Sequence, residues 1–329
     1  MKKISRLTLE EIRRSNGKAT AGIMDIQGRD LYVETYGNIE KPAIAFLHGG
    51  PATSCVEQRE MSELLARKYF VVSFDQYGVF RSGDIKENEK FGMKEHIDQM
   101  EQLRETLEIN KWTLLGHSYG GMLVCYYTYL YPNSIEASIY ENPGWYFTKN
   151  VKSIATYYLD RYYSCHEDET DGMNYAKMII DKDYTGREQE TVSDILKAQS
   201  YVKDLRVTMY MYSIEPDRYF ACFDECYRDL EADEEAVDQK GMIHLNKLVE
   251  AGDMFIDHRP ELDVNQPPAL LINGRYDPVC IEDDRQYFID HAPHGKVVVL
   301  DNSAHHPRLE QTEEYLQAIF DFMDKCGIG

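Results

Sequence analysis

Trp112-Thr113-Leu114-Leu115-Gly116-His117-Ser118-Tyr119-Gly120-Gly121-Met122-Leu123-Val124 is the stretch around which this chain is organised. A short apolar run ending at Leu115 reads as a buried strand, and Met122, Leu123, Val124, Tyr126, Tyr127 and Leu130 read as the apolar faces of a helix. Gly116 to Gly120 must therefore turn the chain sharply between them, forming an elbow with Ser118 at its tip. Glycines at 116 and 120 leave room for a tight strand-to-helix turn that holds Ser118 Oγ clear of the backbone, with a helix N-terminus behind it. A serine hydroxyl placed there becomes a nucleophile if a histidine reaches it.

Working outward, buried-strand and helix patterns alternate. Ile23 to Tyr36 alternates polar and apolar residues on both sides of Gly28, as expected of two antiparallel strands at a sheet edge. Continuous apolar runs at 42–47 and 69–74 read as strands covered on both faces, ending in His48-Gly49-Gly50-Pro51 and Asp75-Gln76-Tyr77-Gly78. Helical stretches are expected around Met61 to Ala66, from Lys94 to Leu107, and from the elbow to Tyr131; a further strand follows at Ile135 to Asn142. This alternation predicts an α/β fold with a mostly parallel sheet flanked by helices.

The alternation stops at Pro143-Gly144. Up to about Arg259 there is no buried-strand run, but Ile195, Ala198, Val202, Leu205, Met209 and Tyr212 recur at spacings of three and four. Strands resume at Pro268 to Gly274 and Lys296 to Leu300, and an amphipathic helix near Glu313 to Cys326 follows. The expected organisation is a core from 1–144 and 262–329, interrupted by an all-helical lid over 145–261.

Three loops at the carboxyl ends of predicted parallel strands carry Ser118, Asp277 and His305, and such ends converge on one crevice. His305 is expected to take the proton of Ser118 as general base, with Asp277 fixing its tautomer and stabilising the imidazolium. A tetrahedral oxyanion needs two donors, and the backbone N–H groups of Gly50 and Tyr119 are the natural pair. His306, His291 and His294 compete with His305 for the role of base, and Asp277 before Pro278 also suits a simple turn cap. His48 reads as a residue that orders its loop, and His117 as pointing into the protein.

Taken together, His48-Gly49-Gly50-Pro51, Asp75-Gln76-Tyr77-Gly78 with Arg81-Ser82-Gly83, Gly116-His117-Ser118-Tyr119-Gly120-Gly121, Gly274-Arg275-Tyr276-Asp277 and Ser303-Ala304-His305-His306-Pro307 resemble the motifs of the proline iminopeptidase branch of α/β-hydrolases. That branch includes prolyl aminopeptidases and tricorn-associated aminopeptidases. The resemblance covers roughly residues 20 to 142 and 265 to 325. It implies the α/β-hydrolase fold and a serine peptidase that removes an N-terminal residue from short peptides beneath a helical lid. It also implies the same roles for Ser118, Asp277, His305, Gly50 and Tyr119. Ala52, Tyr77 and Ala304 stand where the family usually has glycine, arginine and glycine, and the family's tryptophan-rich lid motif is absent. Family aminopeptidases hold the substrate ammonium with glutamates near the site; Glu141, Glu215 and Glu225 are the candidates here.

An esterase or lactonase with the same triad needs an apolar acyl pocket instead, which Tyr157, Tyr158, Tyr162, Tyr163, Met209, Tyr210 and Met211 are placed to line. A non-catalytic hydrolase fold that binds a ligand or partner would typically lose the base or the acid, and both are retained. Serine rather than aspartate at the elbow argues against dehalogenase and epoxide-hydrolase chemistry. A net charge of −21 with no basic cluster argues against nucleic acid as a partner. The absence of an 18-residue apolar run argues against a membrane span, and the N-terminal stretch lacks a signal-peptide pattern, so the expected compartment is the cytoplasm. Seven scattered cysteines without a C-x-x-C read as free thiols, and neither a metal nor a cofactor is called for. The expected partner is a small-molecule or short-peptide substrate.

Overall fold

The computed structural model describes residues 4–163, 171–201, 210–213, 216–230, 234–264 and 267–329. Its strands are β1 (Thr20–Ile26), β2 (Arg29–Tyr36), β3 (Ala43–Leu47), β4 (Phe70–Phe74), β5 (Trp112–His117), β6 (Ile135–Glu141), β7 (Ala269–Gly274) and β8 (Gly295–Leu300). They form one sheet in the order β1-β2-β4-β3-β5-β6-β7-β8. From β4 to β8 every neighbouring pair is parallel; β2 runs antiparallel to β4 and pairs with β1 as a hairpin. Gln27 and Gly28 turn that hairpin with φ values of 52 and 82 degrees, the left-handed pair whose twist matches the two strands.

The apolar runs become strands because helices cover both faces of the sheet. On one face Ala45, Leu47, Val72 and Leu114 pack with Met93, Ile97, Met100 and Leu103 of the helix Met93–Thr106 and with Leu123, Val124 and Tyr127 of the helix Tyr119–Leu130. On the other, Ile44, Phe46, Val71, Leu115 and Ile139 meet Met61 and Leu65 of Arg59–Leu65 and Tyr315, Ile319, Phe322 and Met323 of Thr312–Lys325. Alternate residues of each strand thus feed separate cores, and each fully buried aliphatic side chain contributes about 1.5–3 kcal/mol.

Between β6 and β7 the described residues form helices and turns with no strand, the long helices being Phe147–Tyr163, Asp171–Asp181, Glu188–Tyr201 and Glu234–Ala251. The three-and-four spacing that begins at Ile195 is helical through Tyr201; Val202, Leu205 and Met209 lie outside the described residues. Tyr212 sits in a bend, where its ring stacks flat on Tyr276 with centroids 4.9 Å apart, so the last step of that periodicity reflects packing on the core.

A buried ion network fixes the loops that follow β3 and β4. Arg81 donates from Nε to Asp75 Oδ2 at 2.7 Å and from Nη1 to Glu34 Oε1 at 3.2 Å, and its guanidinium lies 3.8 Å over the Tyr32 ring. Asp75 Oδ1 also accepts from Ser54 Oγ at 2.5 Å and Cys55 N at 2.9 Å, which ties the end of β4 to the loop after β3. Burial alone would raise the Asp75 carboxyl, but the Arg81 charge holds it well below the usual carboxylate range. Replacing Arg81 with methionine leaves Asp75 buried and unpaired. Urea denaturation should record a loss of about 3–5 kcal/mol, and a loss under about 1 kcal/mol would mean that the network does not hold these loops.

Candidate active site

Ser118 follows β5 directly and has φ 55 and ψ −117, a conformation that side chains rarely adopt. The backbone around it enforces this turn. Ser118 N donates to Glu141 O at 2.9 Å, while Ser118 O accepts from Gly121 N at 2.9 Å and Gly144 N at 3.1 Å. A Cβ on Gly116 would stand 2.2 Å from Gly120 O, so only glycine lets the strand and the first turn of the helix approach this closely.

Asp277 and His305 lie in the loops after β7 and β8, and His305 Nδ1 is 2.7 Å from Asp277 Oδ1. Asp277 is buried and also accepts from Val279 N at 3.2 Å and Cys280 N at 2.8 Å, which orients its carboxylate. The two loops are brought together at Gly274, where a Cβ would fall 2.0 Å from Ala304 O. Asn142, just beyond β6, bonds to both loops: its Nδ2 donates to Ala304 O at 2.8 Å, and its Oδ1 accepts from Gly274 N at 2.9 Å. The helical insertion touches the histidine loop as well, since His305 N donates to Tyr210 O at 2.9 Å. Glu310 bridges the same two segments, accepting from Ala304 N at 2.7 Å and Ser213 N at 2.8 Å.

Ser118, Tyr119, Gly50 and His305 all line one cavity of about 330 Å³ between the sheet edge and the insertion. With Nδ1 bonded to Asp277, Nε2 is the nitrogen His305 keeps for a partner in that cavity. The wall is largely apolar, with Met122, Phe147, Val151, Ile154, Ile195 and Leu245 among its members. Of the insertion side chains expected there, Tyr210 and Met211 line it. Tyr157 and Tyr158 instead join the insertion's own core with Val151, Ile154 and Met173. Met209 and the side chains of Tyr162 and Tyr163 lie outside the described residues.

Of the three glutamates expected to bind substrate, Glu141 and Glu225 are not among the residues that line this cavity. Glu141 is buried beneath the elbow, where Oε1 accepts from Arg308 Nη1 at 2.7 Å and Oε2 from Tyr315 at 2.9 Å. Glu225 is exposed on the insertion and pairs with Arg59. Glu215 lies outside the described residues. Among the described residues, the carboxylate that lines the cavity is Glu57, which starts no motif and shows no periodicity that would single it out. Burial by itself would raise the Glu57 carboxyl, but the charge of Arg308 holds it well below the usual range.

A family model described as alpha/beta hydrolase fold matches residues 42–312. The chain belongs to the alpha/beta hydrolase fold family. Within this family it is similar to the proline iminopeptidase of Heyndrickxia coagulans, 23% identical over 93% of this chain and 99% of that one. It is also similar to the proline iminopeptidase of Saccharolobus solfataricus, 25% identical over 92% of each. Among solved structures, a proline iminopeptidase-related protein from Thermus thermophilus superposes with a TM-score of 0.71 at 18% identity, over 93% of this chain and 98% of that one. That last likeness concerns the fold alone.

Buried histidines order the loops around this cavity. His48 accepts from Gln76 N at 3.0 Å through Nε2 and contacts Gly49 O at 2.9 Å through Nδ1, which orders the glycine loop. His117 Nε2 is 2.9 Å from His305 O. Burial lowers the ring pKa of His48, His96, His117, His244 and His306, and for His244 to about 4. Below the ordinary value of about 6.5, the unfolded chain therefore binds protons that the native chain refuses, and stability present above that pH is lost as pH falls. Each such ring contributes up to about 1.4 kcal/mol per pH unit. The urea midpoint should drop clearly between pH 7.5 and pH 5.5, before carboxylates with depressed pKa values add to the loss; a midpoint unchanged or higher at pH 5.5 would show that these rings are not buried neutral.

Proposed function

We propose that the chain is a serine hydrolase working through an acyl-enzyme on Ser118, with the activity of an aminopeptidase that releases N-terminal residues from short peptides, as a proline iminopeptidase does. The observation that carries this reading is the 2.7 Å pairing of His305 with Asp277 beside a backbone-strained Ser118 in one cavity. In the proposed reaction Ser118 Oγ attacks the substrate carbonyl carbon while His305 Nε2 takes its proton. Asp277 holds Nδ1–H and stabilises the imidazolium. The oxyanion is held by the N–H groups of Gly50 and Tyr119, the latter at the start of a helix where backbone donors lack intrahelical partners. His305 then returns the proton to the departing amine, and water, deprotonated by the same ring, releases the acyl group. The insertion over 145–261 acts as a lid that closes the apolar side of this cavity.

The relatives' names favour a peptide substrate. The apolar wall formed by Met122, Phe147, Val151, Ile154 and Ile195 favours a second reading, hydrolysis of an ester, lactone or amide with a small hydrophobic acyl group. A panel of prolyl, alanyl and leucyl fluorogenic amides, their N-acetyl forms and p-nitrophenyl esters of increasing chain length separates the two. The aminopeptidase reading expects free-amine amides to turn over and N-acetylation to abolish most activity; turnover confined to esters would reject it. Ser118→Ala and His305→Ala should each lower turnover by about 10⁴-fold or more without unfolding the chain, while His306→Ala keeps most of it. Equal losses at 305 and 306 would refute His305 as the base.

A further inference from the structure

We propose that Asn142 is a positioning residue for the hydrolysis, one that holds the loops of Asp277 and His305 in place against Ser118, an inference that rests on reading those three residues as the reacting set. Asn142 is fully buried, and its side-chain hydrogen bonds go to none of the three directly. It stands where their loops meet. The residue before it, Glu141, supplies the carbonyl that accepts from Ser118 N at 2.9 Å. Its own Oδ1 accepts from Gly274 N at 2.9 Å, and Gly274 O in turn accepts from Asp277 N at 3.1 Å. Its Nδ2 donates to Ala304 O at 2.8 Å, one residue before His305. A relay also reaches the acid's own carboxylate. Asn273 Nδ2 donates to Asn142 Oδ1 at 2.7 Å and to Cys280 O at 3.0 Å, and Cys280 N donates to Asp277 Oδ2 at 2.8 Å.

The sheet by itself fixes this relation only indirectly. Ladder bonds join neighbouring strands, so the β5–β6, β6–β7 and β7–β8 ladders all lie between the elbow and the histidine loop. Asn142, just past β6, reaches over β7 to the loop after β8. Two other hydrogen bonds cross here, His117 Nε2 to His305 O at 2.9 Å and Tyr276 N to Ser303 O at 3.1 Å, but each joins only two of the three loops. The position also demands this residue type. Gly274 N can only donate and Ala304 O can only accept, so the side chain must offer an acceptor and a donor side by side, as an amide does and a carboxylate or alkyl group does not. The backbone at 142 has φ 44, in the left-handed region that asparagine enters more readily than most residues.

Two variants separate positioning from simple stabilisation, and either suffices if the other does not fold. Asn142→Gly tolerates φ 44 and deletes the amide, whereas Asn142→Asp keeps the acceptor and loses the donor at pH 8.5. In both, labelling of Ser118 by a fluorophosphonate should slow by about 30- to 100-fold, the scale of a displacement of about 1 Å at the reacting groups. With histidine labelled with nitrogen-15, long-range proton–nitrogen correlation at pH 8.5 reads the tautomer of His305, assigned by its loss in His305→Ala. The unaltered chain should carry the proton on Nδ1, as the bond to Asp277 requires, and the variants should show a mixture of the two tautomers. A residue that only added stability would lower the urea midpoint and leave that tautomer alone. Labelling at an undiminished rate, or slower labelling with the Nδ1 tautomer intact, would overturn the assignment. Failure of the hydrolase reading appears differently, as no adduct on Ser118 in the unaltered chain, and the tautomer comparison still reads whether Asn142 holds the pair.

Discussion

The backbone at Ser118 is the constraint on which the site depends. A residue with a side chain held at φ 55 costs about 1–3 kcal/mol, and persists only where its surroundings over-determine it. Here β6 supplies the acceptor for Ser118 N, and Gly121 and Gly144 hold its carbonyl. The absence of a Cβ at Gly116 lets the turn close. Because β5 lies between β3 and β6, the same turn sits next to the glycine loop after β3 and to Asn142 after β6. One local strain thereby sets where the hydroxyl stands relative to every other loop at that edge of the sheet.

Beneath the elbow, charge is arranged just as tightly. Arg308 is fully buried and bonded to Glu141, whose other oxygen accepts from Tyr315 in the C-terminal helix. Glu57 lies above it on the cavity side. The loop that carries His305 and His306 runs directly into Pro307 and Arg308, so the ion pair also anchors the histidine loop to the end of β6. Removing either partner would leave a charge stranded in a low-dielectric interior, which is why such a pair acts as a fixed point more than as a source of net stability.

Much of this was legible in the sequence, for physical reasons that differ by element. Strands covered on both faces are apolar at nearly every position, so 43–47, 70–74 and 112–115 stand out without any structure. The shared edge of Ser118, Asp277 and His305 is legible because each lies in the loop that follows a strand, and the carboxyl ends of parallel strands share one edge. Glu57, Tyr219 and Arg308 were not, because they meet only through tertiary folding across 251 residues of chain, from 57 to 308, and none sits in a pattern of its own. Glu141 stands out in the sequence as an acid after an apolar strand, but its place at the end of β6 puts its carboxylate beside Arg308 rather than in the cavity. An arginine two residues beyond His306 was the available hint that a buried acid would be needed nearby.

The central claim is that Ser118 is a nucleophile activated by the His305–Asp277 pair. Treating the full chain with a fluorophosphonate and locating the adduct by peptide mass mapping tests it most directly. One adduct, on Ser118, is expected, and His305→Ala or Asp277→Asn should slow its formation by about 100-fold or more, the scale of general-base assistance. An adduct on another serine, or equal rates in the variants, would contradict the account.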